Sequence, residues 1–197
     1  MEEVLSRIKP HLTTRHLLIT IAAGLDSSWY LRHLNRLPTL RLIRVMPNLC
    51  LTVGEGASGL FATSGANQND RTMATRLFSS SGKTVWLEDE SLLDAVTALS
   101  GSGPAFVFSF LEALLKAGIA VGLSPEISRQ LSFQTVRGAL RLAETEKDLT
   151  DLIARVASKG GTTEAGLQVL ESEGFSKTIQ KTIEAAAARA RELKSVK

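Results

Sequence analysis

The densest cluster of groups able to do chemistry is Ser158-Lys159-Gly160-Gly161-Thr162-Thr163-Glu164-Ala165-Gly166, set between two helix-patterned segments, Leu149–Ala157 and Glu164–Glu173. Two glycines let the backbone turn sharply and let a small ligand come close to the main chain. Two threonines then open a helix, where hydroxyls can cap free N–H groups or bind a ligand. Such a turn suits a carboxylate or a phosphate, because N–H groups and the helix dipole both face the incoming anion. Local chemistry also allows a plain helix stop followed by a helix start. A second cluster, Ser100-Gly101-Ser102-Gly103-Pro104-Ala105, puts two glycines and two serines ahead of a proline-opened helix. It reads either as an anion or amide cradle or as a tight kink between packed helices. Pro47-Asn48 follows a strand pattern, as a ligand-facing corner or a simple turn.

Two other stretches imitate nucleotide loops. Gly54-Glu55-Gly56-Ala57-Ser58-Gly59 matches Gly-x-Gly-x-x-Gly, but strand-like Leu60–Ala62 follows where the mechanism requires a helix aimed at a pyrophosphate. Ser81-Gly82-Lys83-Thr84 lacks the preceding glycine of a triphosphate loop and runs into a strand pattern. The three histidines, His11, His16 and His33, have no metal-ligand spacing, so no metal site is expected. One cysteine, Cys50, excludes a disulfide framework and a thiolate cluster and fits a reducing cytoplasm. A net charge of +3, with basic and acidic residues interspersed, gives no footprint for nucleic acid, and Lys194–Lys197 reads as a solvated basic helix end. The start, Met1-Glu2-Glu3, is acidic and has no apolar run behind a basic segment, unlike a signal peptide. The longest apolar run, Ala105–Leu123, is interrupted by Glu112 and Lys116 and reads as a buried soluble helix, with no membrane span expected.

The elements that must position these residues fall into two parts. The first is α/β: a helix over Glu2–Leu12, a buried strand His16–Ala23 ending in the small residues Ala22-Ala23-Gly24, a helix Trp29–Arg36 capped from Asp26–Ser28 and followed by Pro38, a strand Leu40–Met46, a helix Asn67–Ser80 with Met73, Leu77 and Phe78 on one face, and a strand Lys83–Leu87. Alternating strands and helices predict a parallel or mixed sheet. After Glu90 the periodicity is helical throughout, over Leu92–Leu99, Pro104–Val121, Pro125–Glu144, Leu149–Ala157, Glu164–Leu170 and Phe175–Leu193. The boundary is expected there, giving residues 1–90 and 91–197.

These pieces in this order resemble the pyrroline-5-carboxylate reductase family. The resemblance rests on Ala157–Leu167 with Leu170-Glu171, on Ala98–Phe106, on Arg44-Val45-Met46-Pro47-Asn48, on Ala22-Ala23-Gly24 and on Gly54-Glu55-Gly56-Ala57, and it covers essentially the whole chain. It implies a Rossmann-type NAD(P)-binding domain over 1–90 and an all-helical dimerisation and substrate-binding domain over 91–197. It also implies hydride transfer from NADPH or NADH to (S)-1-pyrroline-5-carboxylate, giving L-proline in the cytoplasm. The same resemblance implies that Ser158, Gly160, Gly161, Thr162 and Thr163 hold the substrate carboxylate, with Thr163 near the ring nitrogen to orient or protonate the imine, and that Glu146 lines the substrate site. It puts Ile21, Ala22, Ala23, Pro47 and Asn48 beside the nicotinamide, and Gly101, Ser102 and Gly103 at the pocket border. It implies a homodimer through the helical domain and suggests larger rings of dimers.

Lys159 stands where many relatives have proline. A larger departure is that the family opens with a strand and a Gly-x-Gly-x-x-Gly turn, whereas this chain starts at what resembles the helix before His16–Ala23. The expectation is therefore an incomplete Rossmann-type domain, and efficient turnover by the 197 residues alone is not expected. Two readings follow: the family's reductase activity, with the nucleotide half encoded upstream or supplied by a partner, or a non-catalytic dimerising fragment without the nucleotide fingerprint.

Overall fold

The computed structural model describes residues 1–34 and 40–195. The chain forms two compact units. One comprises Met1–Pro104 together with Thr182–Lys197, and the other Ala105–Lys181.

The first unit is built on a four-stranded sheet in the order β1 (Leu17–Thr20), β2 (Arg41–Met46), β3 (Gly56–Ala62), β4 (Gly82–Trp86). β1 and β2 are parallel, β2 and β3 antiparallel, β3 and β4 parallel. The reversal follows from chain length. Only residues 47–55 join β2 to β3, too few for a parallel crossover, whereas α2 (Ser27–Leu34) and α3 (Gln68–Ser79) lie in the connections between the two parallel pairs.

β2 is buried along nearly its whole length because both faces are covered. Its alternate residues divide between two cores. Leu42 joins Leu25, Trp29, Tyr30 and Leu34 of the α2 side, with Leu5 of α1 (Glu2–Ile8), while Ile43 and Val45 pack with Leu60, Ala62 and Ala74 of the α3 side. Arg44 shares the parity of Leu42 and so places a guanidinium in the α2-side layer, where it is almost fully buried.

α3 starts on a capping box. The Asn67 side chain accepts from Asp70 N–H, and Asp70 Oδ2 accepts from Asn67 N–H at 2.9 Å. Asp70 is 1% exposed and also holds Arg41 of β2 through two guanidinium nitrogens, with Nε at 2.9 Å. One carboxylate thus fixes both the start of α3 and its seat on the sheet.

Several expectations need correction. The strand anticipated through Ala23 ends at Thr20, whose hydroxyl accepts from Ala22 N–H at 3.3 Å, and Ile21 is exposed. The inward face of α3 carries Asp70, Ala74 and Phe78 at fourfold spacing, whereas Met73 and Leu77 point outward. The expected end of α2 at Arg36, with Pro38, lies outside the described residues. Lys194 is not a solvated tail residue; its ammonium contacts Asp94 Oδ2 at 2.7 Å.

The helical elements are α4 (Leu92–Val96), a π turn at Thr97–Gly101, α5 (Gly103–Ala120), α6 (Pro125–Ala143), α7 (Leu149–Val156), α8 (Thr162–Ser172) and α9 (Phe175–Ser195). Gly122 at φ +102° ends α5, and Ser124 caps α6 through Ile127 N–H with Pro125 in its first turn. α5 and α6 approach closely where Ser128 Oγ donates to Leu115 O at 2.8 Å. A side chain at Gly118 would collide with Ser128 there.

Contrary to the expectation of a buried helix, no residue of α5 is buried, and Val107, Phe108, Phe110 and Ile119 are exposed. α6 adds exposed Ile127, Leu131, Phe133 and Leu140. The apolar periodicity is real, but among the described residues nothing covers these side chains. The helical run Leu92–Ala120 is long and apolar enough to cross a bilayer by length and composition.

The Arg41 guanidinium beside Asp70 holds the Asp70 carboxyl below its ordinary value. Its stabilising contribution is therefore complete above the unfolded carboxylate range, near pH 4, and is lost as pH falls through the lower folded value. Arg41→Met is expected to destabilise the chain at neutral pH, because the enclosed Asp70 carboxylate loses its cationic partner. That difference from the parent should shrink below about pH 4. Urea denaturation of both proteins across pH checks the loss and the direction of the trend.

Candidate active site

β1 and β2 run parallel with Thr20 opposite Arg44, so the segments leaving them emerge from the same end of the sheet. Those segments are Ile21-Ala22-Ala23 and Pro47-Asn48. In open α/β sheets the crevice beyond the carboxyl ends of the strands is where ligands bind. Ile21 and Ala23 are exposed, and Gly24 turns the chain at φ +72°.

Asn48 draws the third expected group to this end. Its Nδ2 donates to Ser100 O at 3.1 Å and its Oδ1 accepts from Ala57 N–H at 3.2 Å. A Cβ at Gly101 would lie 3.6 Å from Met46 Sδ, so the Gly101–Gly103 segment starts directly against the end of β2. The sheet unit therefore brings Ile21–Ala23, Pro47–Asn48 and Gly101–Gly103 into one region. Gly54–Gly59 runs from a left-handed turn into β3, and Ser81–Thr84 runs into β4, so neither forms a strand–turn–helix phosphate loop.

A charged knot supports the turn from below. Glu90 Oε1 accepts from Ser27 N–H at 2.6 Å and from Arg44 Nη1 at 2.7 Å, and Glu90 Oε2 accepts from Ser27 Oγ at 2.6 Å. Beside it Thr20 Oγ1 and Tyr30 OH are hydrogen-bonded at 2.6 Å. Asp26 Oδ1 accepts from Trp29 N–H at 2.7 Å and from Ser28 Oγ, closing the first turn of α2.

In the helical unit the segment Ser158–Thr163 joins α7 to α8. Gly160 lies at φ +71°, and Gly161 is the N-cap of α8. Ser158 and Gly160 are exposed, and Thr163 is half-buried. The loop consumes two of its own donors. Gly160 N–H donates to Glu164 Oε2 at 2.5 Å, and Gly161 N–H donates to Ser158 O at 2.9 Å. The groups left for a ligand are the first-turn N–H groups of Thr162, Thr163 and Glu164, which have no carbonyl one turn back within the helix, and the two threonine hydroxyls. A Cβ at Gly161 would displace the Ser158 hydroxyl and crowd the Ser158 carbonyl oxygen at 3.0 Å. Glu146, between α6 and α7, pairs with Arg155 Nη1 at 3.0 Å, in the last turn before the loop.

The model of the family described as pyrroline-5-carboxylate reductase dimerisation matches residues 90–193. A pyrroline-5-carboxylate reductase of Haemophilus influenzae is 39% identical over 100% of this chain, which covers 72% of that relative. One from Pisum sativum is 40% identical over 98% of this chain and 70% of its own length. The chain belongs to the pyrroline-5-carboxylate reductase family.

Solved structures agree on the fold. That of the Coxiella burnetii pyrroline-5-carboxylate reductase superposes with a TM-score of 0.90 at 36% identity, over 98% of this chain and 71% of that one. The Plasmodium falciparum pyrroline carboxylate reductase, with NADP bound, gives 0.90 at 32% identity, over 98% of this chain and 77% of that one. The fold is thus the family's Rossmann-like N-terminal portion followed by its helical dimerisation domain. The chain spans about seven tenths of the length of these relatives.

Beyond β1 and β2 stand two small side chains, a main chain open at the strand ends, and a corner locked by Asn48, an arrangement with room for part of a dinucleotide. Among the described residues there is no glycine turn in the context that a pyrophosphate requires.

Sequence reading assigned no role to Glu164, Glu90 or Arg44 at this site. Glu164 carried a signal, because a glutamate at the third helical position commonly reaches back to a free N–H group. Arg44 carried another, as a charge inside a near-continuous apolar strand. Its partner Glu90 lies 46 residues away, which no spacing rule would have found. Glu90→Ala is expected to destabilise the chain by about 3–5 kcal/mol by leaving the Arg44 charge buried without its partner. The urea midpoint measures the loss, and Glu90→Ala paired with Arg44→Met should recover part of it.

Proposed function

We propose that the chain acts as a pyrroline-5-carboxylate reductase, transferring hydride from NAD(P)H to (S)-1-pyrroline-5-carboxylate to give L-proline, the last step of proline biosynthesis. The observation that carries this is identity near 40% along the whole chain with reductases of that name, with the glycine-threonine loop intact. Residues 1–90 form the cofactor-binding part and 91–197 the dimerisation and substrate-binding part.

The cofactor supplies the hydride, which adds to the imine carbon while the ring nitrogen takes a proton. The protein's own work is position and charge. Ser158, Gly160, Gly161, Thr162 and Thr163 form the substrate-carboxylate loop. Gly160 and Gly161 shape it, and the free N–H groups and hydroxyls of Thr162 and Thr163 bind the carboxylate. Thr163 orients the imine nitrogen or delivers its proton. Glu146 lines the substrate side through its tie to Arg155. Ile21, Ala22, Ala23, Pro47 and Asn48 flank the nicotinamide, and Gly101, Ser102 and Gly103 border the pocket.

The exposed apolar faces of α5 and α6 are covered by a second copy of the chain, not by lipid. The support is that Leu92–Ala120 lies within the span matched by the dimerisation family and carries Asp94, Glu112 and Lys116. The dimers assemble further into rings in the cytoplasm. NADPH and NADH both fit the nicotinamide side, since the residue that discriminates them belongs to the adenosine end.

A second reading, a non-catalytic dimerising fragment, is favoured by one specific observation: the described residues hold no glycine fingerprint for the pyrophosphate. Following NADPH and NADH consumption with pyrroline-5-carboxylate, while recording the solution mass, separates the two. A dimer that neither binds cofactor nor turns over replaces the first reading with the second. In the active protein Thr163→Ala is expected to lower kcat by about 10²-fold, the scale of a lost proton-transfer group, with Thr163→Ser retaining most of the rate. An unchanged kcat in the alanine variant removes Thr163 from the mechanism.

A further inference from the structure

The last turns of α9 belong to the sheet unit, although the helix starts in the other one. Three contacts fasten them there. Ala190 is buried. Lys194 Nζ reaches Asp94 Oδ2 of α4 at 2.7 Å, across 100 residues of sequence, with both side chains mostly buried. Leu193 sits on Gly24, so that a Cβ there would be 3.1 Å from Leu193 Cβ and 3.3 Å from its carbonyl oxygen. Gly24 is the left-handed residue that turns the chain directly after Ile21-Ala22-Ala23. A side chain at position 24 would be strained at φ +72° and would crowd Leu193.

We infer that the C-terminal end of α9 is a positioning strut for the cofactor-side turn: Leu193 seats the Ile21–Gly24 segment, and the Lys194–Asp94 ion pair holds the helix end in place. The inference rests on the reading of Ile21–Ala23 as the nicotinamide flank. The physical case is one of attachment. Beyond Thr20 the segment has left the sheet ladder, and Ile21 and Ala23 are exposed. Without an external contact such a turn samples several conformations and lowers affinity for whatever it flanks. A helix end supplies a rigid surface, and a cation there is favoured by the helix dipole as well as by the carboxylate. Asp94 is 7% exposed, so losing the ammonium leaves a buried carboxylate unpaired and releases the helix end.

The test uses Lys194→Met, Lys194→Arg and Leu193→Gly in the full chain, with three readouts: hydrogen exchange of the peptide covering residues 20–26, the KM values for NADPH and for pyrroline-5-carboxylate, and the solution mass. Lys194→Met is expected to speed exchange in residues 20–26 about tenfold and to raise the KM for NADPH by a similar factor. The KM for the imino acid and the dimer mass should stay unchanged. Lys194→Arg should restore both properties, and Leu193→Gly, which removes the Cβ that faces Gly24, should reproduce the exchange effect with both ion-pairing side chains present. Unchanged exchange in residues 20–26 in both Lys194→Met and Leu193→Gly overturns the strut. If the parent protein binds no NADPH, the reductase reading fails instead, and the exchange data alone decide the strut.

Discussion

The Arg44–Glu90 ion pair is the interaction on which the rest of the sheet unit depends. β2 is enclosed on both faces, and at its carboxyl end, where an aliphatic side chain would have served the core, the sequence places a guanidinium with almost no access to water. A charge in that setting is tolerable only with a partner, and Glu90 is the partner. The same carboxylate accepts two bonds from Ser27, so the start of α2 is fixed to the end of β2 and to the segment that leads into α4. Arg44 Nε has no partner of its own, which makes the geometry of that single pair more consequential. The turn Ile21–Gly24 hangs between β1 and α2, and its position follows from this knot.

The two units answer the burial problem differently. The sheet unit covers both faces of its central strand β2, with α1 and α2 on one side and α3 on the other, and the buried Arg44, Asp70 and Asp94 are each tied into a pair. The helical unit does not close on itself. Its long helices show the apolar spacing of core elements, yet large side chains such as Phe108, Leu131 and Leu140 remain open to solvent in the single chain. A monomer with that much apolar surface would be prone to aggregate, and the family's dimerisation domain resolves this by making one chain the core of another.

The sequence made the order of elements legible because period and punctuation act locally: Pro125 after Ser124, Gly122 at a helix end and Asn67 before α3 each mark a boundary by their own chemistry. The glycine-threonine loop and its neighbours were legible through a resemblance along the whole chain, not through any one motif. What local pattern could not supply was the identity of the covering surface. Ala105–Leu123 reads as a core helix by composition, and whether that core lies within one chain or between two is a tertiary property. The inward face of α3 was hidden for a related reason. It is organised around a carboxylate, Asp70, whose value depends on Arg41 in a strand 29 residues earlier, so hydrophobic spacing alone pointed to Met73 and Leu77. The bonds that position the Ile21–Gly24 turn are longer-range still.

The loop at Ser158–Thr163 changes meaning once its hydrogen bonds are counted. Read as sequence, each of its backbone groups looks available to an incoming carboxylate. In the structure Glu164 already supplies a carboxylate to Gly160, and Ser158 satisfies Gly161. Those bonds stabilise a left-handed glycine and a helix start that would otherwise be costly to hold open. They also concentrate the free donors on Thr162, Thr163 and Glu164, within one turn of each other at the positive end of α8. An anion that approached this end would meet preformed donors and would not need to reorganise the loop. The two glycines thus matter to the loop chiefly through the backbone shape they permit, and the threonines through the donors at the first turn of α8.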